Sequence, residues 1–150
     1  MSISPTATSS GFPSLPLHAA FPSTPALFKA LAFRAGKIRT DEDRVLFTQG
    51  DGAIGLYIVR SGTVQATLHA GDGAVVAIFL AARGAILGLP ALVSHQPYSL
   101  TALAREGSDI AFISIDDFED LLREAPGLYL DVLSVLAAEV HAARSALANA

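Results

Sequence analysis

The histidines are the first residues to test for chemistry, and their spacing argues against it. The chain has four: His18, His69, His95 and His141. A metal-dependent barrel enzyme would set two as His-x-His, with a carboxylate and a further histidine on facing strands. That spacing does not occur. His18 lies in a proline-rich stretch, His69 at the end of an alternating segment and His141 in an apolar helical run. His95 falls in a loop and is expected to face solvent. Cysteine is absent, which excludes disulfides, thiol nucleophiles, thiolate metal sites and iron–sulfur centres. No Gly-x-Ser-x-Gly, P-loop or dinucleotide fingerprint is present. Asp116, Asp117, Glu119 and Asp120 cluster at a helix start, where they complement the dipole, and are not read as a catalytic pair. No catalytic residue and no metal is assigned, and the chain is expected not to be an enzyme.

The stretch that could hold a ligand is Gly84 to Ala102, GAILGLPALVSHQPYSLTA. It opens with Gly-x-x-x-Gly, runs through a short apolar helical turn and leaves by Pro97 into a strand. The free N–H groups at a helix start point outward and the dipole favours negative charge, so a loop of this kind suits an anion.

The remaining elements would position that loop. Residues 1–25 carry no Asp, Glu, Lys or Arg and hold five of the eight prolines; they read as a flexible tail. Thr24-Pro25 offers a cap and a first-turn proline for a helix over Ala26 to Phe33, with Leu27 and Leu31 inward. Gly36 to Arg44 reads as a strand with a loop. Strands follow at Val45–Phe47, Leu56–Val59, Thr63–His69, Ala74–Leu80 and Ala85–Leu87, then Tyr98–Arg105 and Ile110–Ile113. Leu56-Tyr57-Ile58-Val59 is apolar on both faces, as a strand covered on both sides would be. Ser61-Gly62 and Asp72-Gly73 read as hairpin signals. Asp116-x-x-Glu119 reads as a capping box, followed by an inward stripe of Phe118, Leu121 and Leu122. Pro126 ends that helix and starts a last one running to about Leu147. There Leu133, Leu136, Val140, Ala143 and Leu147 are spaced as a seam for a partner helix, with Leu130 and Val132 expected on the barrel. Just over half the residues are hydrophobic and the formal net charge is −4, so direct nucleic-acid binding has no electrostatic source. No run is long and apolar enough for a membrane span, and a cytoplasmic location is expected.

From Leu46 to Ala143 the chain resembles the cyclic-nucleotide-binding domain of the CRP/FNR regulators. Leu46-Phe47-x-Gln49-Gly50-Asp51 resembles the early turn, and Leu56-Tyr57-Ile58-Val59-x-Ser61-Gly62-x-Val64 resembles the family's most recognisable hairpin. Gly84 and Gly88 frame the phosphate-binding loop, and Thr101-Ala102 follows. Phe118-x-x-Leu121-Leu122-x-x-x-Pro126 resembles the helix before the long dimer helix. The resemblance implies a mainly β double-stranded β-helix (jelly-roll) barrel over residues 26–125, flanked by helices, with a dimer helix over 126–150.

The loop departs from the family pattern at two positions. The family's ribose-binding glutamate aligns with Leu89, and its phosphate-pairing arginine with Tyr98. Losing that charge-assisted fork costs about 2–5 kcal/mol where the pair is desolvated, and Pro90 removes one more N–H. What remains for a ligand is Gly88, Leu89, Pro90 and Ala91 on the loop, with Tyr98, Ser99 and Thr101 after it. The expectation is a regulatory sensor domain with a degenerate phosphate-binding cassette. A homodimer with a small-molecule effector, no resident cofactor and no tight cAMP or cGMP binding is expected with it. Two alternatives stay open: a genuine cyclic-nucleotide receptor using loop amides, Ser99 and Thr101, and a ligand-free interaction module. The family's winged helix-turn-helix does not follow within these residues, so the chain reads as a stand-alone sensor or the sensor part of a longer protein.

Overall fold

A computed structural model describes residues 23–148, apart from the side chains of Ala143, Ala146 and Leu147. Of the tail expected over residues 1–25, residues 1–22 lie outside the described residues. Helix α1 (Pro25–Arg34) begins at Thr24, whose hydroxyl accepts from the Leu27 N–H at 3.2 Å. Eight strands follow: β1 (Gly36–Ile38), β2 (Arg44–Phe47), β3 (Gly55–Ser61), β4 (Val64–His69), β5 (Val75–Ala81), β6 (Ile86–Leu87), β7 (Thr101–Ala104) and β8 (Asp109–Ser114). Helix α2 (Leu89–Ser94) interrupts them after β6, and α3 (Ile115–Glu124) and α4 (Leu128–Ala148) close the chain.

The strands form two antiparallel four-stranded sheets, ordered β1-β8-β3-β6 and β2-β7-β4-β5. These are the strand orders of a jelly roll. Strand β3 carries the centre of the architecture because it is buried on both faces. Tyr57 and Val59 point between the sheets, into a core shared with Phe47, Val64, Phe79 and Leu87. Leu56 and Ile58 point the other way, into a second core with Leu27 and Leu31 of α1, Phe118 and Leu122 of α3, and Val132 and Val135 of α4. Each fully buried aliphatic side chain of this kind contributes about 1.5–3 kcal/mol. An Arg34–Glu124 ion pair joins α1 to α3 at the edge of the second core.

Four local expectations are corrected. Ser61-Gly62 is not a hairpin: β3 pairs with β8 and β6, whereas β4 pairs with β5 and β7. The chain crosses between sheets there, and it crosses again between β7 and β8. The two crossings pin each other, since the Thr63 N–H donates to Ser108 Oγ at 3.0 Å and Arg105 N–H donates to the Thr63 carbonyl at 3.0 Å. Asp72-Gly73 does close a hairpin, between β4 and β5. The cap of α3 is Ser114, which accepts from the Asp117 N–H at 3.2 Å, so the helix starts one residue before Asp116. Strand β7 starts at Thr101, because the Tyr98 backbone is already paired to the turn before β3. Leu130 is 75% exposed, and Val132 and Val135 cover the barrel in its place. The seam positions Leu133 and Val140 are also exposed, at 59% and 51%, while Leu136 packs partly against the second core. The side chains of Ala143 and Leu147 are outside the described ones.

Gly55, the first residue of β3, is set where a side chain has no room. A Cβ there would come within 2.6 Å of the Phe112 ring and closer still to the Ile113 carbonyl oxygen. Gly55→Ala is expected to destabilise the domain by about 1–3 kcal/mol through overpacking. Gly71→Ala, with nothing around it, should change stability by less than about 0.5 kcal/mol. Urea unfolding of both variants checks the contrast.

Candidate functional site

Strand β6 delivers the chain to the loop. It is held on β3 by Tyr57 opposite Leu87 and Ile58 opposite Ile86, extended by the Val59 N–H to Ala85 carbonyl bond at 3.0 Å. Gly88 then turns the chain with φ +96°, a left-handed conformation that favours glycine. It is also hemmed in, since a Cβ would lie 3.1 Å from the Tyr98 ring and 3.2 Å from the Gly55 carbonyl oxygen. Helix α2 follows for six residues, with Pro90 in its first turn. It ends at His95, which adopts φ 57° and is exposed, as expected of a loop histidine.

Tyr98 is 3% exposed and fixes the returning chain. Its N–H donates to the Asp51 carbonyl at 2.9 Å, and its carbonyl accepts from the Gly50 N–H at 2.8 Å. Its hydroxyl donates to the Gly55 carbonyl at 2.8 Å and accepts from the N–H groups of Ile54 at 3.1 Å and Gly55 at 3.2 Å. One donor and two lone pairs are the full capacity of a phenol. The ring stacks on Phe47 with centroids 4.0 Å apart, and Phe47 in turn meets Tyr57 at 5.5 Å. Burial, then the neighbouring Tyr98, pushes the Tyr57 phenol pKa up, with Arg44 opposing. Tyr57 donates to the Leu46 carbonyl at 3.1 Å.

The remaining site positions divide. Gly88, Pro90, Ala91, Tyr98 and Ser99 are brought together around a cavity of only about 10 Å³, roughly the space of one water molecule. Leu89 is fully buried and faces away, into the second core. The Thr101 hydroxyl accepts from the Gln49 N–H at 3.0 Å. The Gln49 side chain clamps His69, accepting from its N–H at 2.8 Å and donating to its carbonyl at 2.9 Å. Ser99 is exposed.

Beside this closed space lies an open one of about 280 Å³, between the β4–β5 face, the loop and α4. Its lining is apolar except for Ser99 and Glu139. Glu139 Oε2 is buried and has no hydrogen-bond partner among the described residues, and burial raises the carboxyl pKa to about 8. The sequence reading missed Glu139. The available signal was its isolation, as the one acidic residue after Asp131, set between Leu136 and Val140. Among the described residues no group of His, Asp and Glu is placed to hold a metal, and no helix is long and apolar enough to cross a membrane.

A protein-family model described as the cyclic nucleotide-binding domain matches residues 37–125. The chain is 35% identical over 83 residues to the cAMP-dependent protein kinase type II regulatory subunit of Drosophila melanogaster. That match covers 55% of this chain and 22% of the relative. It is 28% identical over 105 residues to acetyltransferase Pat of Mycolicibacterium smegmatis, covering 70% of this chain and 31% of that protein. The chain thus spans less than a third of either curated relative. The fold is similar to that of the Thermus thermophilus catabolite activator protein. The TM-score is 0.70 at 24% identity, over 83% of this chain and 58% of that one.

Two outcomes follow from the site. Tyr98→Phe keeps the stack on Phe47 but removes the hydroxyl that serves the buried Gly55 N–H and carbonyl and the Ile54 N–H, and should cost about 1–3 kcal/mol in urea unfolding. Glu139 has its folded pKa raised above the ordinary carboxylate value, so its contribution to stability is fully present below the unfolded pKa and lost as pH rises to about 8. Glu139→Gln should therefore match the parent at acidic pH and become the more stable of the two by pH 8, read as the difference in unfolding free energy between the two proteins.

Proposed function

We propose that this chain, which belongs to the cyclic nucleotide-binding domain family, is a CRP/FNR-type regulatory sensor domain whose phosphate cassette is closed by Tyr98. The supporting observation is the state of that residue. It stands where the family resemblance puts an arginine, and its ring and hydroxyl are wholly committed to Phe47, Ile54 and Gly55. The space left at the loop, about 10 Å³, is too small for a cyclic phosphate. Leu89 offers nothing to a ribose, since it faces the helical core. The domain accordingly does not bind cAMP or cGMP tightly and has no catalytic role.

The receptor alternative draws on Ser99 and Thr101, and the Thr101 hydroxyl is already used by Gln49. The ligand-free alternative is weighed against the 280 Å³ space that joins the loop to α4. An effector there would touch Pro90 and Leu100 on one side and Leu136 on the other, so its binding would bias the position of α4. Exposed Leu133 and Val140 suit that helix to pairing with a second copy, which would carry the change to the dimer. Direct contact with nucleic acid by these residues has no electrostatic source, because they carry net negative charge.

Calorimetric titration with cAMP and cGMP tests the reading. The parent should show no binding at millimolar nucleotide. Tyr98→Arg supplies the phosphate-pairing cation in place of the phenol; it should lower the stability of the unliganded domain, because the buried arginine has no partner until a phosphate binds, and gain at least about tenfold in affinity. Leu89 is left unchanged, since it faces the helical core and a glutamate there would be buried away from the ligand. Micromolar binding by the parent would overturn the reading.

A further inference from the structure

The space beside α4 has a chemistry opposite to that of an anion site. Leu68 and Phe79 come from the β4–β5 face, Pro90 and Leu100 from the loop, and Leu136 and Val140 from α4. These are apolar walls. Glu139 is the one charged group lining either this space or the small cavity next to it. The only other titratable residue there is Tyr98, and its hydroxyl is turned to Gly55. Among the described residues Glu139 makes no ion pair, and none donates to its Oε2. A buried carboxyl oxygen without a donor is costly to keep unless something completes it.

We propose that the groove between α4 and the β4–β5 face binds a small apolar molecule carrying a single ammonium or amidinium group, with Glu139 as its counter-ion. The volume of about 280 Å³ is near the lower end for small-ligand sites, so the occupant is one or two rings or a short alkyl chain. An anionic ligand is disfavoured in the same place, because the lining offers it no cation and Glu139 repels it once ionised. The proposal rests on the closed-cassette reading above, since an open cassette would draw an anion into adjoining space.

Charge complementarity also sets a proton balance. Near neutral pH the empty site holds Glu139 largely as the acid, because burial opposes its ionisation. An incoming ammonium stabilises the carboxylate, so the Glu139 O–H proton leaves to solvent as the ion pair forms. Affinity for a cation should therefore rise from pH 6 to pH 8 and then level off.

The test uses three probes that share one ring system: tryptamine, tryptophol and indole-3-acetate. Calorimetric titrations of the full chain are run at pH 6 and pH 8, with cAMP titrated in parallel. Tryptamine is expected to bind at submillimolar concentration and to bind more tightly at pH 8. It should exceed tryptophol by at least about tenfold, with indole-3-acetate weaker still. Glu139→Gln, checked for an unchanged fold by its thermal unfolding, should remove the preference for tryptamine and its pH dependence. No tryptamine binding, equal binding of indole-3-acetate, or unchanged tryptamine affinity in Glu139→Gln would each overturn the proposal. Micromolar binding of cAMP in the parallel titration would instead overturn the closed-cassette reading, whatever tryptamine does.

Discussion

The contact between the Tyr98 side chain and the start of β3 is the constraint on which the loop depends. Three hydrogen bonds meet at one phenol oxygen, and two more fix the same residue's backbone to the turn at Gly50 and Asp51. Those five bonds hold the return of the loop against the entry of the central strand. They also dictate two glycines. Gly55 must present its backbone to the Tyr98 hydroxyl while Phe112 crowds its α-carbon, and Gly88 must turn the chain within 3.1 Å of the Tyr98 ring. A side chain at Gly88 would press on the phenol ring, and one at Gly55 would clash with Phe112 and the Ile113 carbonyl. Phe47 completes the arrangement from the other sheet by stacking on the ring.

The same strand links this closed loop to the helices. Tyr57 and Val59 of β3 face the loop side, and Leu56 and Ile58 face α1, α3 and α4. Leu89 and Leu92 of α2 join the helical core although the loop that carries them lies at the barrel mouth. Movement of α2 is therefore felt on both sides of β3. Helix α4 shares in this through Val132 and Val135, and it reaches across the open space through Leu136 and Glu139. A small molecule lodged between α2 and α4 would act on two elements that the core already couples.

Most of the fold was legible because its signals are local. The double-sided apolar run at Leu56–Val59 marked the central strand, and Thr24-Pro25 and Pro126 marked helix limits. The family resemblance supplied the jelly-roll order that periodicity cannot. Ser61-Gly62 misled, since a serine-glycine turn looks alike whether the next strand pairs with the last or crosses to the other sheet. That choice is made by distant partners, here Ser108 and Arg105. Leu130 misled because one apolar residue among several on a helix does not reveal which face is covered. At the site, the sequence identified Tyr98 as a departure but not its hydroxyl partners, which come from residues more than forty positions earlier. Glu139 escaped notice for the same reason: only the fold brings it to the same groove as Leu68, Phe79 and Leu100.

The central claim is that Tyr98 occupies the phosphate position and stays there. A crystal structure of the domain grown with millimolar cAMP addresses it directly. The account predicts the Tyr98 ring still stacked on Phe47, its hydroxyl against Gly55, and no nucleotide at Gly88 to Ala91. A cyclic phosphate seated on those loop amides, with Tyr98 swung away from Gly55, would contradict it.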